Sequence, residues 1–473
     1  MVFWKKRFFE WMPDPMESGD QKKEVGRGPG GRPACLAPFR CMYFGPRGEV
    51  YACCYNRGRV LGIYPRDDLR AIWSGKAVRE LRESLEKGLF PGACSYCGGI
   101  MAGADRNASK AGMYDSTPEN RNGYPAVMEF ELDSTCNYEC IMCTGKSSSA
   151  IRRNRLKRDL IPSPYDRAFV KRLEEFIPHL HEARFYGGEP FLVEIYYSIW
   201  EALKNARPDL SISVQTNGSV WTDRLEALLG RRRFSVSVSL DAARRETYEA
   251  IRKNGRFENV MRNIHRFRDA CRRQGTFFGL SAVAIRQNWR ELHEVVLLAN
   301  DLDVPVTFQT VWSPAHCALW NLEAFELERM ISAMQAHEFG ENTEVERHNL
   351  EQYRALIRRL GSWRDAARQR GPFPASLSSG LESVRNILGA LQARLSDAET
   401  KRPEFQDRMR AFEAALASLP GEEARRTAQR NIWLYLEAFG PGFVIEHLLG
   451  RDMDTLMEAL GPPPVETGKS VQP

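Results

Sequence analysis

Residues 126–145 read AVMEFELDSTCNYECIMCTG, a short run typical of a buried strand that is followed at once by a loop of cysteines. The run at 126–133 favours a β-strand. Cys136, Cys140 and Cys143 come next, with the spacing C-x3-C-x2-C. This loop stands at the carboxyl end of the first strand of an α/β unit, where open parallel sheets bind their ligands. Its position alone indicates function.

The same pattern of β-branched runs separated by helical stretches extends from residue 125 to about residue 313. Alternating β and α units predict an α/β fold with a parallel sheet and crossover helices, either doubly wound or curled into a barrel. Six such units are too few for a closed eight-stranded barrel. The six strands are predicted at residues 126–133, 182–188, 210–216, 234–240, 277–285 and 305–311.

Three clustered thiols do not complete a zinc site. A structural zinc ion takes four ligands, and the nearest histidines, His179 and His181, lie well downstream of the loop. Thiolates are also the usual ligands of iron–sulfur clusters, and a four-iron cluster held by three of them keeps one iron open. The missing fourth ligand can therefore be a substrate or a cofactor.

The C-x3-C-x2-C loop after a first strand resembles the radical S-adenosylmethionine (radical SAM) enzymes, and the resemblance covers residues 125–313. It implies a partial (β/α)6 barrel, a 4Fe-4S cluster on Cys136, Cys140 and Cys143, bound S-adenosylmethionine and a low-potential electron donor. In the family, an electron from the cluster cleaves the bound S-adenosylmethionine. The resulting 5'-deoxyadenosyl radical abstracts hydrogen from a substrate.

Later residues match the family in order along successive β/α units. The turn FYGGEP resembles the GGE motif, in which the glycines admit a close backbone approach and the glutamate accepts from the ligand's ammonium. An arginine after the fourth strand would pair with the cofactor carboxylate. The implied cofactor-binding residues are Tyr138, Gly187, Gly188, Glu189, Thr216, Asn217, Ser239, Asp241 and Arg252.

A second cysteine group precedes the first, in a unit spanning residues 35–110 that includes a predicted turn at 45–54 and a predicted helix at 67–88. Twelve residues separate Cys35 from Gly48 and four separate Gly48 from Cys53, and this spacing resembles auxiliary-cluster modules of the twitch and SPASM type. The resemblance implies a second 4Fe-4S cluster, in the shorter twitch form. Its metal ligands would be Cys35, Cys53, Cys94 and Cys97.

Two features of this module leave alternatives open. Cys41 and Cys54 are surplus, and either of them can replace Cys35 or Cys53 as a ligand. The module also precedes the radical domain, whereas in the family it usually follows. A four-cysteine zinc knob that stabilises a small domain fits the same spacing.

The remaining candidate residues have structural interpretations. Cys271 and Cys317 stand alone in the sequence and are expected to be small buried apolar side chains. His316 follows the sixth strand, on the side where a substrate would bind, and is expected to be a satisfied structural histidine.

The chain is expected to contain several units besides the radical SAM core at 125–313. A helical domain has no counterpart in the common family core and is a candidate substrate cap. The other expected units are a flexible leader at 1–34, a linker at 111–124, the helical domain at 320–458 and a disordered tail at 459–473.

Composition excludes several classes of protein. The net charge of +6 is spread over 473 residues without a basic stripe, so a nucleic-acid partner is not expected. No apolar run reaches the length of a transmembrane segment, and no signal peptide is evident, so a cytoplasmic location is expected. Eleven cysteines, an odd count in tight local groups, argue against a disulfide framework.

The sequence therefore predicts a radical SAM enzyme that modifies a peptide or protein, or oxidises a small alcohol or sugar. An auxiliary cluster that accepts an electron would make the enzyme an oxidoreductase. Cobalamin-dependent methyl transfer is disfavoured, because no D-x-H-x-x-G run is present. The alternative hypothesis is a non-catalytic, metal-stabilised scaffold or partner-binding protein, which would have no use for Glu189 or Arg252.

Overall fold

A nine-stranded sheet forms the centre of the protein in a computed structural model. The structure describes residues 31–94, 97–98, 101, 109–120, 122–231, 233–370, 403–419, 421–443 and 453–461. The strands are β1 Cys41–Phe44, β2 Glu49–Tyr51, β3 Gly62–Ile63, β4 Val127–Phe130, β5 Glu182–Phe185, β6 Ser211–Thr216, β7 Phe234–Ser239, β8 Phe278–Ala284 and β9 Val306–Thr310.

Strands β4 to β9 are parallel and lie side by side in chain order. They coincide with the six strands predicted from the sequence, and the α/β class with a partial parallel barrel is confirmed. The connecting helices pass over the outer face, as crossover units require. The helices are α1 Ala37–Arg40, α2 Leu69–Trp73, α3 Lys76–Glu86, α4 Arg167–Leu173, α5 Glu194–Ala206, α6 Asp223–Arg231, α7 Arg245–Ile251, α8 Phe257–Gln274, α9 Leu292–Asp301, α10 Ala324–Gln335, α11 Glu344–Gln369, α12 Pro403–Ser418, α13 Gly421–Phe443 and α14 Met453–Leu460.

The two faces of the sheet differ in polarity. In β7, the apolar residues of FSVSVS are packed in the main hydrophobic core, while Ser235, Ser237 and Ser239 alternate with them and face the barrel interior. Burial of both faces would normally favour a continuous apolar strand. The alternation observed here gives the barrel a polar interior.

Charged side chains occupy part of that interior. Glu129 of β4 is in register with Arg184 of β5, which is in register with Ser213 of β6. The Arg184 guanidinium lies 2.8 Å from the Glu129 carboxylate and 2.7 Å from that of Glu182, and its side chain is almost fully buried. These ion pairs are desolvated, and the guanidinium gives each carboxylate a charged partner.

The N-terminal cysteine-rich segment extends the same sheet. Strand β1 runs parallel to β4, with Cys41 in register with Val127, and β2 and β3 continue the sheet in antiparallel order. Gly48 forms the β1–β2 turn with φ +91°, and a Cβ there would lie 2.0 Å from the Tyr64 carbonyl oxygen. The stretch read from sequence as a turn at 45–54 therefore contains strand β2.

Other local expectations differ in detail from the structure. The helix predicted at 67–88 is two helices, α2 and α3, separated at Ser74 and Gly75. A Cβ at Gly75 would lie 2.7 Å from the Ala71 carbonyl oxygen, so this sharp turn requires glycine. In the helical C-terminal region, α14 runs to Leu460, into the stretch expected to be the tail.

Parts of the expected leader and tail, residues 1–30 and 462–473, lie outside the described residues. None of the helices in the described part of the chain combines the length and the apolar character that crossing a membrane requires.

Candidate functional site

The cysteine loop directly follows β4 and is held by its own backbone and by a serine. The backbone N–H of Cys136 donates to Ser149 Oγ at 3.0 Å, and that hydroxyl donates back to the Cys136 carbonyl at 3.1 Å. The Cys143 N–H donates to the Cys140 carbonyl at 3.1 Å. These bonds hold the loop in its conformation.

The loop also pairs with the segment that follows α7. The N–H groups of Glu139 and Ile141 donate to the carbonyls of Lys253 and Ile251, each at 3.0 Å. Asn254, at φ 71°, donates from its side chain to Glu139 Oε1 at 2.9 Å. The α7–α8 connection and the cysteine loop consequently form one unit at the mouth of the barrel.

The glycine turn after β5 packs against the start of the cysteine loop. Gly187 and Gly188 have φ values of +81° and +44°. A Cβ at Gly188 would lie 2.1 Å from the Thr135 carbonyl oxygen, and one at Gly187 would lie 2.7 Å from Glu131 Cγ. The Glu189 N–H donates to the same Thr135 carbonyl at 2.8 Å. Only glycine fits this approach of two backbones.

Glu189 connects the ends of β5 and β6. Its carboxylate is fully buried and accepts from Thr216 Oγ1 and from the Asn217 N–H, both at 2.7 Å. Burial raises the pKa of Glu189 to about 7. The Asn217 side chain donates to Asn137 at 3.0 Å and lies 3.9 Å from Cys136 Sγ.

This arrangement qualifies the role predicted for Glu189. The carboxylate also accepts from the Phe191 N–H at 3.2 Å, so three of its roughly four acceptor positions are occupied. One position remains for an ammonium group. The carboxylate itself is fully buried.

Asp241 and Arg252 form a buried ion pair beside the second cysteine. Arg252 Nε lies 2.7 Å from Asp241 Oδ2, and Asp241 Oδ1 accepts from the Val283 N–H at 2.8 Å. Burial alone would lower the pKa of Arg252, but Asp241 and Cys140 raise it overall. Arg252 Nη1 also lies 4.0 Å from Cys140 Sγ. Ser239 ends β7 on the interior face, 9% exposed.

Tyr138 supports the loop from inside. Its carbonyl accepts from Ser148 Oγ at 2.6 Å, and its ring packs with Cys140, Met142 and Ile251 in a small buried cluster. Burial raises the pKa of the Tyr138 hydroxyl. The residue predicted to contact a cofactor is thus also part of the local core.

The thiols proposed for the auxiliary site come together around Cys53. Burial raises the pKa of the Cys53 thiol well above its ordinary value, and nearby Cys54, Cys35, Cys94 and Cys97 raise it further. Buried Asn56 donates to Cys94 Sγ at 3.0 Å. Cys35, Cys41 and Cys53 lie in one buried cluster, and Cys94 packs against it, so which four thiols hold a metal stays a prediction.

The surplus cysteines have different surroundings. Cys41 lies on β1, where burial, and then the Glu129 carboxylate, raise the pKa of its thiol, and Tyr114 hydrogen-bonds to it. Cys54 adjoins Cys53, and burial raises the pKa of its thiol while nearby Lys110 lowers it. Cys54 follows Cys53 directly in the chain and Cys41 lies on strand β1, and the choice of ligand between them stays a prediction.

The isolated cysteines are buried, as expected. Cys271 and Cys317 are 1% and 0% exposed, and Cys317 Sγ lies 3.6 Å from the Ile141 carbonyl oxygen of the cysteine loop. His316 departs from its expected role as a satisfied histidine. Both of its ring nitrogens are buried without a well-aligned hydrogen bond in the described residues, although the ring lies beside the Ile141 backbone. Burial lowers the pKa of His316 to about 4.

One polar cluster beside the cysteine loop was not predicted from the sequence. Arg57 and Tyr43, both from the N-terminal segment, contact the carboxylate of Glu131 at the end of β4. Arg57 also donates to the Cys54 carbonyl at 2.9 Å. The signal was present as Glu129 and Glu131, two carboxylates at a spacing of two in a strand, which places both on one face.

The residues fit the cofactors that the resemblance implied. Three thiols on one loop suit a cluster with an open iron, and the glycine turn packs its backbone against the start of that loop. Asn217 Nδ2 lies 3.9 Å from Cys136 Sγ, and Arg252 Nη1 lies 4.0 Å from Cys140 Sγ. In the described residues, no three His, Cys, Asp or Glu side chains converge tightly enough to hold a single metal ion.

Comparison with curated proteins gives partial matches. The chain is 26% identical over 215 residues to GTP 3',8-cyclase of Listeria welshimeri, covering 44% of this chain and 61% of the relative. It is 27% identical over 180 residues to mycofactocin maturase of Mycolicibacterium smegmatis, covering 37% and 42%. The S-adenosylmethionine-dependent heme synthase of Methanosarcina barkeri is 27% identical over 180 residues, covering 38% and 48%. The chain thus spans less than two thirds of each relative.

Solved structures overlap with similar parts of the chain. One is anSMEcpe with bound S-adenosylmethionine, at a TM-score of 0.34 and 19% identity, covering 43% of this chain and 55% of that one. Another is Streptococcus suis SuiB bound to its precursor peptide SuiA, at a TM-score of 0.35 and 12% identity, covering 45% and 46%.

Family models match both cysteine regions. Residues 132–299 match the radical SAM superfamily, and residues 35–98 match the SPASM iron–sulfur cluster-binding domain. The first implies a 4Fe-4S cluster with S-adenosylmethionine, and the second an auxiliary iron–sulfur cluster. The chain therefore carries a radical SAM domain with a SPASM domain at its N-terminal end.

Proposed function

We propose that this protein is a radical SAM enzyme that abstracts hydrogen from a peptide, a protein, or a small alcohol or sugar. The observation that carries the proposal is the cysteine loop at the mouth of the parallel barrel. Its three thiols are flanked by the glycine turn at Gly187, by Asn217 and by Arg252.

Cys136, Cys140 and Cys143 would hold the cluster, which when bound supplies the electron that cleaves S-adenosylmethionine to a 5'-deoxyadenosyl radical. The chain's own contribution is binding, orientation and exclusion of water. Arg252, placed by Asp241, offers a cation near Cys140. Glu189 holds Thr216 and Asn217 in place at the end of β6.

The auxiliary thiols would serve a different purpose. Cys35, Cys53, Cys94 and Cys97 are four in number, which suits a closed, fully coordinated cluster in the twitch form rather than a substrate-binding one. Such a site can accept an electron from the substrate or help position the substrate, and the first role would make the enzyme an oxidoreductase.

We propose a cytoplasmic location, where thiols stay reduced, and a low-potential electron donor as partner.

The barrel interior favours a polar substrate. Ser237 and Ser239 line it near the cysteine loop, and the Arg184 ion pairs lie deeper. Hydroxyl, amide or carboxylate groups would find partners there, whereas a hydrocarbon would leave these polar groups desolvated and unpaired. Peptides, alcohols and sugars all meet this requirement.

Reconstitution without oxygen tests the proposal. We expect about eight irons and no zinc per chain, and 5'-deoxyadenosine on addition of a reductant and S-adenosylmethionine. Arg252→Ala should retain iron but lose 5'-deoxyadenosine by a hundredfold or more, whereas Arg245→Ala, an exposed residue of α7, should behave as wild type. Cleavage unchanged in Arg252→Ala would refute the role of Arg252, and a protein without iron would leave the scaffold hypothesis standing.

A further inference from the structure

The last described helix, α14, contacts the cysteine loop directly. The backbone N–H of Gly145, two residues beyond Cys143, donates to Glu458 Oε2 at 2.8 Å across 313 residues of chain. A Cβ at Gly145 would lie 2.5 Å from Leu156 Cδ1, so glycine permits this packing. The Glu458 Oε1 atom is buried as well.

A second contact joins α14 to the segment after β9. The Ala315 N–H donates to the Ala459 carbonyl at 3.0 Å, and Cys317 Sγ reaches the Ile141 carbonyl of the cysteine loop at 3.6 Å. The segment containing Ala315 and Cys317 therefore touches both α14 and the loop. Two separate connections therefore link α14 to the cysteine loop, one direct and one through this segment.

Helix α14 is itself anchored to α13. Asn431 of α13 donates from its side chain to the Leu460 carbonyl at 2.7 Å, and the Leu456 side chain is buried. Helix α13 also lies against the turn Gly92–Cys94 of the auxiliary group. The C-terminal helices thus contact both cysteine regions.

We propose that Glu458 is a positioning residue for the cluster of the radical SAM domain. Its hydrogen bond holds the end of the cysteine loop closed, which limits access of water and oxygen to the Cys143 side. The bond also occupies the N–H group of Gly145, two residues beyond Cys143. The Glu458 carboxylate adds negative charge near the cluster. Net charge, hydrogen bonds and solvent exposure set cluster potentials, so Glu458 lowers the reduction potential.

The inference rests on the proposed function only in that Cys143 holds a cluster. Two substitutions separate the effects of charge and hydrogen bond. Glu458→Gln removes the charge but keeps an acceptor for Gly145, whereas Glu458→Ala removes both. Glu422→Ala, an exposed carboxylate of α13 paired with Arg426, is the matched control.

The measurements are made on reconstituted, intact protein: iron per chain, the reduction potential by electron paramagnetic resonance, and the rate at which air bleaches the cluster absorbance. We expect both Glu458 variants to shift the potential upward. Glu458→Ala should also bleach several-fold faster than wild type, while Glu458→Gln and Glu422→Ala bleach at the wild-type rate.

Wild-type potentials in both Glu458 variants, together with wild-type bleaching in Glu458→Ala, would overturn the inference. If circular dichroism shows that Glu458→Ala is unfolded, the potential of Glu458→Gln decides the question alone. A wild-type protein that assembles no cluster at Cys143 would instead be a failure of the proposed function.

Discussion

The cysteine loop after β4 and the cysteine group of the N-terminal segment hold the same side chains in different settings. Cys136, Cys140 and Cys143 occupy one short loop at the end of a parallel strand, beside donors such as Arg252. Of the N-terminal thiols, Cys35 and Cys53 lie in a mostly apolar cluster, with Cys94 packed against it. We propose that the first group receives a ligand and that the second is fully coordinated by its own thiols.

The comparison indicates that the number of thiols in a group goes with the polarity of the residues around it. A cluster held by three thiols has one iron open to another ligand, and polar residues nearby can bind that ligand. Asn217 and Arg252 lie beside the thiols of the cysteine loop. A cluster held by four thiols is fully coordinated and needs no further ligand, only burial. Cys53 is buried, at 8% exposure. Substitutions in each group should therefore have separable effects.

Loss of a thiol in the cysteine loop should have the largest effect. Cys140→Ala is expected to lower iron from about eight to about four per chain and to abolish 5'-deoxyadenosine formation, because two thiolates do not retain the cluster. Iron analysis and product chromatography check this. Cys271→Ala, a buried thiol outside both groups, should keep all the iron; a similar loss there would mean that general destabilisation is being measured.

Loss of an auxiliary thiol should spare the first step. Cys94→Ala is expected to lower iron by about four per chain while 5'-deoxyadenosine is still formed, since the cysteine loop is untouched. Iron and zinc analysis with a cleavage assay checks this. Cys41→Ala should keep the iron of wild type, because Cys41 lies in the barrel wall; if it loses iron instead, Cys41 is a ligand.

Protonation of Glu189 should tune ligand binding near neutral pH. The affinity for S-adenosylmethionine should rise several-fold as pH increases through about 7, because only the ionised carboxylate attracts an ammonium group. Isothermal titration from about pH 6 to about pH 8 measures this. Glu189→Gln should lose the dependence, while Glu194→Gln, an exposed carboxylate paired with Arg224, should retain it.

The same group affects stability with the opposite sign. The folded protein keeps the Glu189 proton up to about pH 7, whereas the unfolded chain releases it near the ordinary pKa of 4.5. The free energy of unfolding should therefore fall as pH rises between these values. Denaturant melts of wild type and Glu189→Gln over this range check the slope, and parallel slopes would contradict the assignment.

Removal of the Arg57 contact should have the smallest effect. Arg57→Leu leaves the Glu131 carboxylate without its cation, and because Arg57 is 35% exposed the free energy of unfolding should fall by about 1–3 kcal/mol. Urea denaturation measures it. Arg59→Leu, which breaks an exposed pair with Glu80, should cost less than about 1 kcal/mol. Equal losses of unfolding free energy in Arg57→Leu and Arg59→Leu would contradict a larger contribution from the Arg57–Glu131 contact.

Local patterns explain why much of the fold was predictable. The six parallel strands are short runs with period-two or continuous apolar character, and each is bounded by turn residues that the sequence displays. The order of the cysteine loop, the glycine turn and the later polar residues follows from strand order, because the carboxyl ends of parallel strands meet at one edge. The residue roles remain predictions.

Where prediction fell short, a contact with a distant part of the chain was decisive. Strand β2 was read as a turn because three residues give little periodicity, and it forms through pairing with β1. The His316 ring lacks the well-aligned hydrogen-bond partner expected of a structural histidine. The ring lies beside the backbone of Ile141 in the cysteine loop, which is distant in the sequence. The contact of Arg57 with Glu131 joins residues 74 apart.

The sequence by itself determined the β/α units, the cysteine spacings and the fold class, because these depend on neighbours within a few residues. Only the tertiary structure decided that β1 lies beside β4, that Arg57 reaches Glu131, and that Glu458 meets Gly145. These contacts depend on which surfaces pack after long loops close, and no short window of sequence encodes that choice.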